Sequence, residues 1–292
     1  VHYFSAGVKK MIRLVKTIIR GRDTTDGAGV RLRRIFGYNE VPLFDPYLML
    51  DFFDSENPDD YVKGFPWHPH RGIETITFLF EGEIDHGDSL GNSGVIRSGD
   101  CQWMTAGSGI IHQEMPIASK HMLGFQLWAN LPAVDKMVEP AYHEIKADDL
   151  VTLEDETAAV RIIAGSYKGK TGKMQRHDIN ARMLDVNIKP ESVWTLDTDY
   201  SDKVFALLVR GEAVFAPGSQ AESRPGGAIL FDSGDSLKIT SGTEGARILV
   251  VSGTPINEPV AWGGPIVMNT QEELRQAFRE YQEGSFIRHK AL

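Results

Sequence analysis

The chain has 292 residues, with 29 glycines, 14 prolines, one cysteine and a formal net charge of −9. That length suits two ordinary domains or one large one and can bury a core without staples. The lone Cys101 excludes an internal disulfide and fits a reducing compartment. The negative charge disfavours non-specific nucleic-acid binding, and no apolar run is long enough to cross a membrane.

Abundant glycine and proline with few long helical patterns favour a β-rich protein with tight turns. Val1–Lys10 lacks the apolar core of a signal peptide. Met11 opens the first expected strand, so Val1–Lys10 reads as an extension and the expected location is cytoplasmic, or nuclear in a eukaryote. Residues 1–34 hold nine Lys/Arg against Asp23 and Asp26, a local charge of +7 that leaves −16 for the remainder. This strip reads as an edge strand protected by charge; the alternative is a docking strip for an acidic partner.

Strand-like alternation fills residues 12–20, 31–36, 75–80, 110–114 and 123–128, with Gly-, Asp- and Asn-rich turns between. Residues 132–142, with Pro132 and Pro140, read as a linker between a first domain (11–131) and a second (143–292). A second strand series follows at 160–164, 183–188, 204–209, 213–215, 226–232, 237–240 and 247–252. Leu208-Val209-Arg210-Gly211-Glu212 echoes Leu79-Phe80-Glu81-Gly82-Glu83, and Ser233-Gly234-Asp235 echoes Ser98-Gly99-Asp100. Their common order suggests duplicated β-barrels. One clear helix comes late. Thr270-x-x-Glu273 has the form of a capping box, and Leu274, Ala277, Phe278 and Tyr281 form an apolar stripe suited to packing on a barrel.

Chemistry is concentrated in two short motifs separated by 41 residues, His68-Pro69-His70 and His112-Gln113-Glu114. Along a strand, residues i and i+2 share a face, ~6.5–7 Å apart. Two such strands side by side inside a barrel offer three imidazoles and one carboxylate to one metal. A lone H-x-H is commonly chance; the second pair in the same strand period is what makes a site. The donors suit Fe, Mn, Co, Ni, Cu or Zn without choosing among them. The second series has neither H-x-H nor H-x-E, so only the first barrel is expected to hold metal. His86 follows a turn and is expected to be exposed. Cys101 lacks a basic activator in sequence and reads as structural.

The segments His68-Pro-His70-Arg71-Gly72-x-Glu74-Thr75 and Gly99-Asp100-x-Gln102-Trp103-Met104-Thr105-Ala106-Gly107-x-Gly109-Ile110-x-His112-x-Glu114-Met115-Pro116 resemble the signatures of the pirin family. Ser98 stands where many members carry proline. The likeness continues through Phe125-Gln126-Leu127-Trp128, Lys136-Met137-Val138-Glu139-Pro140 and Gly264-Pro265-x-Val267-Met268-Asn269-Thr270, and covers nearly the whole chain from about residue 12. The resemblance implies an all-β bicupin, two face-to-face jelly-roll-like barrels with a short C-terminal helix. It implies metal ligation by His68, His70, His112 and Glu114, with Glu74 outside the ligand set but able to orient a ligand. It favours Fe(II) as cofactor. It further implies a quercetin 2,3-dioxygenase-like enzyme that opens a flavonol with O₂ and releases CO, Glu114 serving as ligand and general base. Phe65, Trp67, Phe125, Gln126 and Trp128 are candidates for the substrate pocket, although Phe125 and Trp128 read equally as barrel core. The alternative is an iron-containing redox-sensing co-regulator acting on a protein partner through the basic strip. Without a coiled coil, a monomer is expected.

Overall fold

A computed structural model describes residues 10–176, 178–222 and 224–289. Residues 1–9 of the expected extension lie outside the described residues. The first twelve strands are β1 (Val15–Arg20), β2 (Arg22–Asp26), β3 (Val30–Phe36), β4 (Tyr47–Ser55), β5 (Phe65–His70) and β6 (Ile73–Glu81), then β7 (Glu83–Asp88), β8 (Ser93–Arg97), β9 (Cys101–Thr105), β10 (Ile110–Ile117), β11 (Met122–Asn130) and β12 (Ala141–Ile145). A seven-stranded sheet in the order β12-β9-β6-β11-β4-β3-β2 and a four-stranded sheet in the order β5-β10-β7-β8 form the first barrel. The second is built on a nine-stranded antiparallel sheet centred on the long strands Lys203–Val214 and Ser236–Gly253. The expected all-β bicupin is what the chain folds into.

Alternation explains how the barrels meet. On β6 and β11, Ile76, Phe78, Phe125 and Leu127 point out of the first barrel. They pack against Phe205, Leu207, Val209, Leu249 and Val251 of the second in one buried cluster. Each such side chain contributes roughly 1.5–3 kcal/mol by leaving water. The intervening positions Thr75, Thr77 and Gln126 point inward and are buried as well. The second barrel is filled differently, with Val160, Ile162, Leu184, Val186, Trp194 and Leu208 among its apolar interior residues. One barrel therefore carries polar groups inside, and the other is filled with hydrocarbon.

The two halves exchange edge strands, which moves the expected borders. β1, placed by the sequence reading in the first domain, pairs antiparallel with Gly227–Phe231 of the second sheet, Ile18 opposite Ile229. β12, spanning the expected linker and the start of the second domain, pairs with β9, His143 opposite Trp103. Alternation reveals a strand but not its partner, so a border drawn by chain order misses both exchanges. The chain also returns at its end: Arg71 bridges to Ile266, and the strands Ala261–Gly263 and Ile266–Met268 lead into a helix at Gln271–Gln282.

The predicted capping box is present, with Thr270 Oγ1 accepting from the Glu273 amide at 3.2 Å and Glu273 accepting from the Thr270 amide at 2.9 Å. The expected stripe is only half buried. Leu274 and Ala277 are covered, Phe278 and Tyr281 are partly exposed, and Glu280 is buried in their stead. The basic N-terminal strip is largely absorbed in ion pairs: Arg33 with Asp23, Arg31 with Asp60, Arg20 with Glu222 and Arg34 with Asp26 and Asp51. Arg13 is buried and donates to Thr198 and to the carbonyls of Asp232 and Asp199.

Candidate metal centre

β5 and β10 are neighbours, and their register sets His112 directly opposite His68. The i, i+2 rule then adds His70 to the same face. His68 Nε2 lies 3.0 Å from His70 Nε2 and 3.0 Å from His112 Nε2. Two of the rings are fixed from behind: His68 Nδ1 lies 2.9 Å from the Pro66 carbonyl and His70 Nδ1 3.1 Å from the Pro265 carbonyl. A carbonyl only accepts, so each Nδ1 carries the proton and each Nε2 lone pair is free. The Nε2 lone pairs of His68 and His70 face each other and repel unless a cation, or a proton from His112, sits among them. Bonds of about 2.1 Å meeting at right angles would put two nitrogens about 3 Å apart, as His68 stands from each of the other two, so the residues present fit a first-row divalent ion.

Electrostatics agree with this fit. Burial, reinforced by neighbouring histidines, holds His70 and His112 well below the usual imidazole pKa, so both are neutral near pH 7. Neutral imidazole is the ligating form. Among the described residues these three histidines form a cluster whose ligand atoms lie within 4.8 Å of one another.

Glu114 follows a register shift on β10, where it faces His86 across β7. It is buried, but its carboxylate does not join the histidine cluster. Thr77 donates to its Oε1 at 3.0 Å, and Gln126 donates to its Oε2 at 2.7 Å. Burial pushes the Glu114 pKa up, opposed by His68 and by these two donors.

A cavity of about 720 Å³ opens onto His68 and His70. Phe65, Met49, Trp128 and Trp262 give it apolar walls, and Gln126 borders it beside the histidines. Trp128 stands edge-on to His70 at 5.1 Å and lies 5.8 Å from Trp262. Also lining the cavity, Arg34 grips the buried Asp51 with two bonds of 2.8 and 2.7 Å and reaches Asp26 at 2.7 Å.

The family model for pirin matches residues 29–129, and the model for the pirin C-terminal cupin domain matches residues 183–287. The chain belongs to the pirin family. A pirin-like protein of Caulobacter vibrioides is 42% identical over 278 residues, covering 94% of this chain and 99% of that one. A relative from Pseudomonas aeruginosa, whose quercetin 2,3-dioxygenase name is itself provisional, is 40% identical and covers 90% of this chain and 94% of its own. The crystal structure of a quercetin 2,3-dioxygenase from Acinetobacter baumannii superposes with a TM-score of 0.84 at 28% identity, covering 94% of this chain and 98% of that one.

Within this pirin-family barrel the sequence-predicted site residues separate. His68, His70 and His112 converge; Phe65, Gln126 and Trp128 border the cavity. Trp67 does not: strand alternation turns it outward, 54% exposed. Phe125 does not either, because it shares a strand with inward Gln126 and is buried between the barrels, 5.8 Å from Phe78. Glu74 is bonded to Thr105 at 2.6 Å and paired with Arg176, so it orients no ligand. His86, expected at the surface, is buried and lies 2.6 Å from the Tyr142 hydroxyl. Sequence reasoning missed Arg34, Asp51 and Trp262. Asp51 had a readable signal, a charged residue inside the apolar run Tyr47–Phe53; Trp262 had none, lying 134 positions beyond Trp128.

Proposed function

We propose that this chain is a metal-dependent dioxygenase that opens a flavonol such as quercetin with O₂ and releases CO. The observation that carries the reading is the convergence of three imidazoles beside an aromatic-walled cavity large enough for a planar polyphenol. The likeness to a solved quercetin 2,3-dioxygenase supports it. His68, His70 and His112 hold the ion, which we assign as Fe(II). Bound there, it supplies Lewis acidity towards a substrate hydroxyl and a redox-active centre for O₂.

The remaining work falls to the protein. Trp128, Phe65 and Trp262 bind the flat rings by stacking and exclude water from them. Glu114 takes the proton of the flavonol 3-hydroxyl on its carboxylate. Burial raises its basicity, and the Thr77 and Gln126 donors hold the group in place until it acts. Arg34, held by Asp51 in the cavity wall, offers hydrogen bonds to other substrate hydroxyls.

The reading is tested under argon. Quercetin added to iron-loaded protein is expected to show the red-shifted absorption of its deprotonated form, and neither metal-free protein nor His112→Ala should produce it. An unchanged quercetin spectrum with loaded protein would contradict the proposal.

A further inference from the structure

The third side of the metal centre is built by the far end of the chain. His70 Nδ1 finds its acceptor in Pro265, 195 positions away. That carbonyl is held by an interlocked set of contacts. The Val267 amide donates to the Arg71 carbonyl at 3.1 Å. Lys136 Nζ, buried, donates to the carbonyls of Gly72 at 2.8 Å and Val267 at 2.9 Å and to Asn130 Oδ1 at 2.7 Å. Gly72 has φ +77°, and a Cβ there would sit 2.0 Å from the Val267 oxygen, so the two segments touch backbone to backbone.

Arg71, next to His70, is 2% exposed and its guanidinium is turned into the C-terminal segment. It donates to the Phe286 carbonyl at 3.0 Å, lies 4.2 Å over the Phe286 ring and pairs at 2.8 Å with Glu280, a carboxylate that the half-exposed Arg288 also reaches at 3.1 Å. A buried cation on the residue next to a metal ligand opposes metal binding unless a carboxylate offsets it. Glu280 is that carboxylate, and this explains why a charged residue is buried on the helix.

We propose that residues 261–288 act as a positioning strap for the metal centre, with Glu280, through Arg71, and Lys136 as its fasteners. The strap fixes the His70 ring in its ligating tautomer and offsets the Arg71 charge. A neighbouring group that orients a metal-bound histidine typically changes metal affinity 10–100-fold. The inference rests on the three-histidine reading but not on the flavonol, so it is tested without substrate.

The experiment is chelator competition with Co(II) on the full chain, alongside the visible spectrum of the Co(II) protein. Glu280→Gln and Lys136→Met are each expected to weaken Co(II) binding at least tenfold and to alter the ligand-field bands. Glu280→Asp, which restores charge, should recover part of the affinity. Asp185→Asn is the control: Asp185 joins Arg161 and Arg247 away from the site, so its loss should lower Tm while leaving affinity and spectrum unchanged. If Glu280→Gln lowers Tm with affinity and spectrum unchanged, or Glu280→Asp binds Co(II) as weakly as Glu280→Gln, the strap is ordinary packing and the proposal fails. Should one substitution prevent folding, the other decides. If the wild-type protein binds no Co(II), the three-histidine reading fails first, and the two failures are distinguishable.

Discussion

Each residue of the centre has a separable task. Among the described residues the His112 Nε2 meets only another histidine, whereas the Glu114 carboxylate already has two donors. His112→Ala should therefore abolish tight metal binding. Glu114→Gln should keep the metal within a few-fold and lose about 10²- to 10⁴-fold in kcat, the usual span for a removed general base. Metal analysis with steady-state kinetics checks both, and full turnover in Glu114→Gln would remove Glu114 as base. A pH effect follows from the buried imidazoles. Their folded pKa values lie below the ordinary value, so above pH ~6.5 both states are neutral and stability is complete. As pH falls below ~6.5, the unfolded chain takes up protons that the folded chain refuses, and stability is lost at up to about 1.4 kcal/mol per unit per group. The raised carboxyls of Asp51 and Glu114 act in the opposite direction. The test is thus the difference between metal-free wild type and His112→Asn in urea unfolding at pH 7.5 and 5.5. Wild type should lose more stability on acidification, and equal losses would contradict the assignment.

At the scale of elements, one strand serves two compartments. β11 sends Gln126 to Glu114 and Phe125 to the interface between barrels. Phe125→Ala should cost about 3–5 kcal/mol of stability and leave metal affinity unchanged, a split that denaturation and metal titration read separately. Trp128→Ala should instead weaken quercetin binding, since its ring borders the cavity. The i, i+2 ligand spacing was legible because both motifs lie on strands, where a period of two is visible in the residues themselves. Which face Phe125 and Trp67 occupy required the register, and an alternating pair fits either assignment until one neighbour is fixed. His86 looked exposed because a turn precedes it, yet its strand continues inward to Tyr142. The helix was legible through its cap and period. Its buried Glu280 was not, because the cation that makes burial tolerable lies 209 positions earlier, at Arg71.

Across the whole molecule, the two barrels divide the labour. One barrel carries inward threonines, glutamines and histidines and opens to a cavity; its partner fills the corresponding space with Val, Ile, Leu and Trp. The absence of H-x-H and H-x-E from the second series was readable in the sequence. The exchange of β1 and β12, and the return of the C-terminal strap to His70, were not, since both join residues remote in the chain. The first barrel brings the three histidines together, the second supplies the sheet it leans on, and the last segment reaches back to His70. The most direct measurement is CO release together with quercetin loss under O₂, using iron-loaded protein beside His112→Ala. The account predicts stoichiometric CO from the loaded wild type and none from the variant. Tight iron binding with quercetin left intact would contradict the dioxygenase reading.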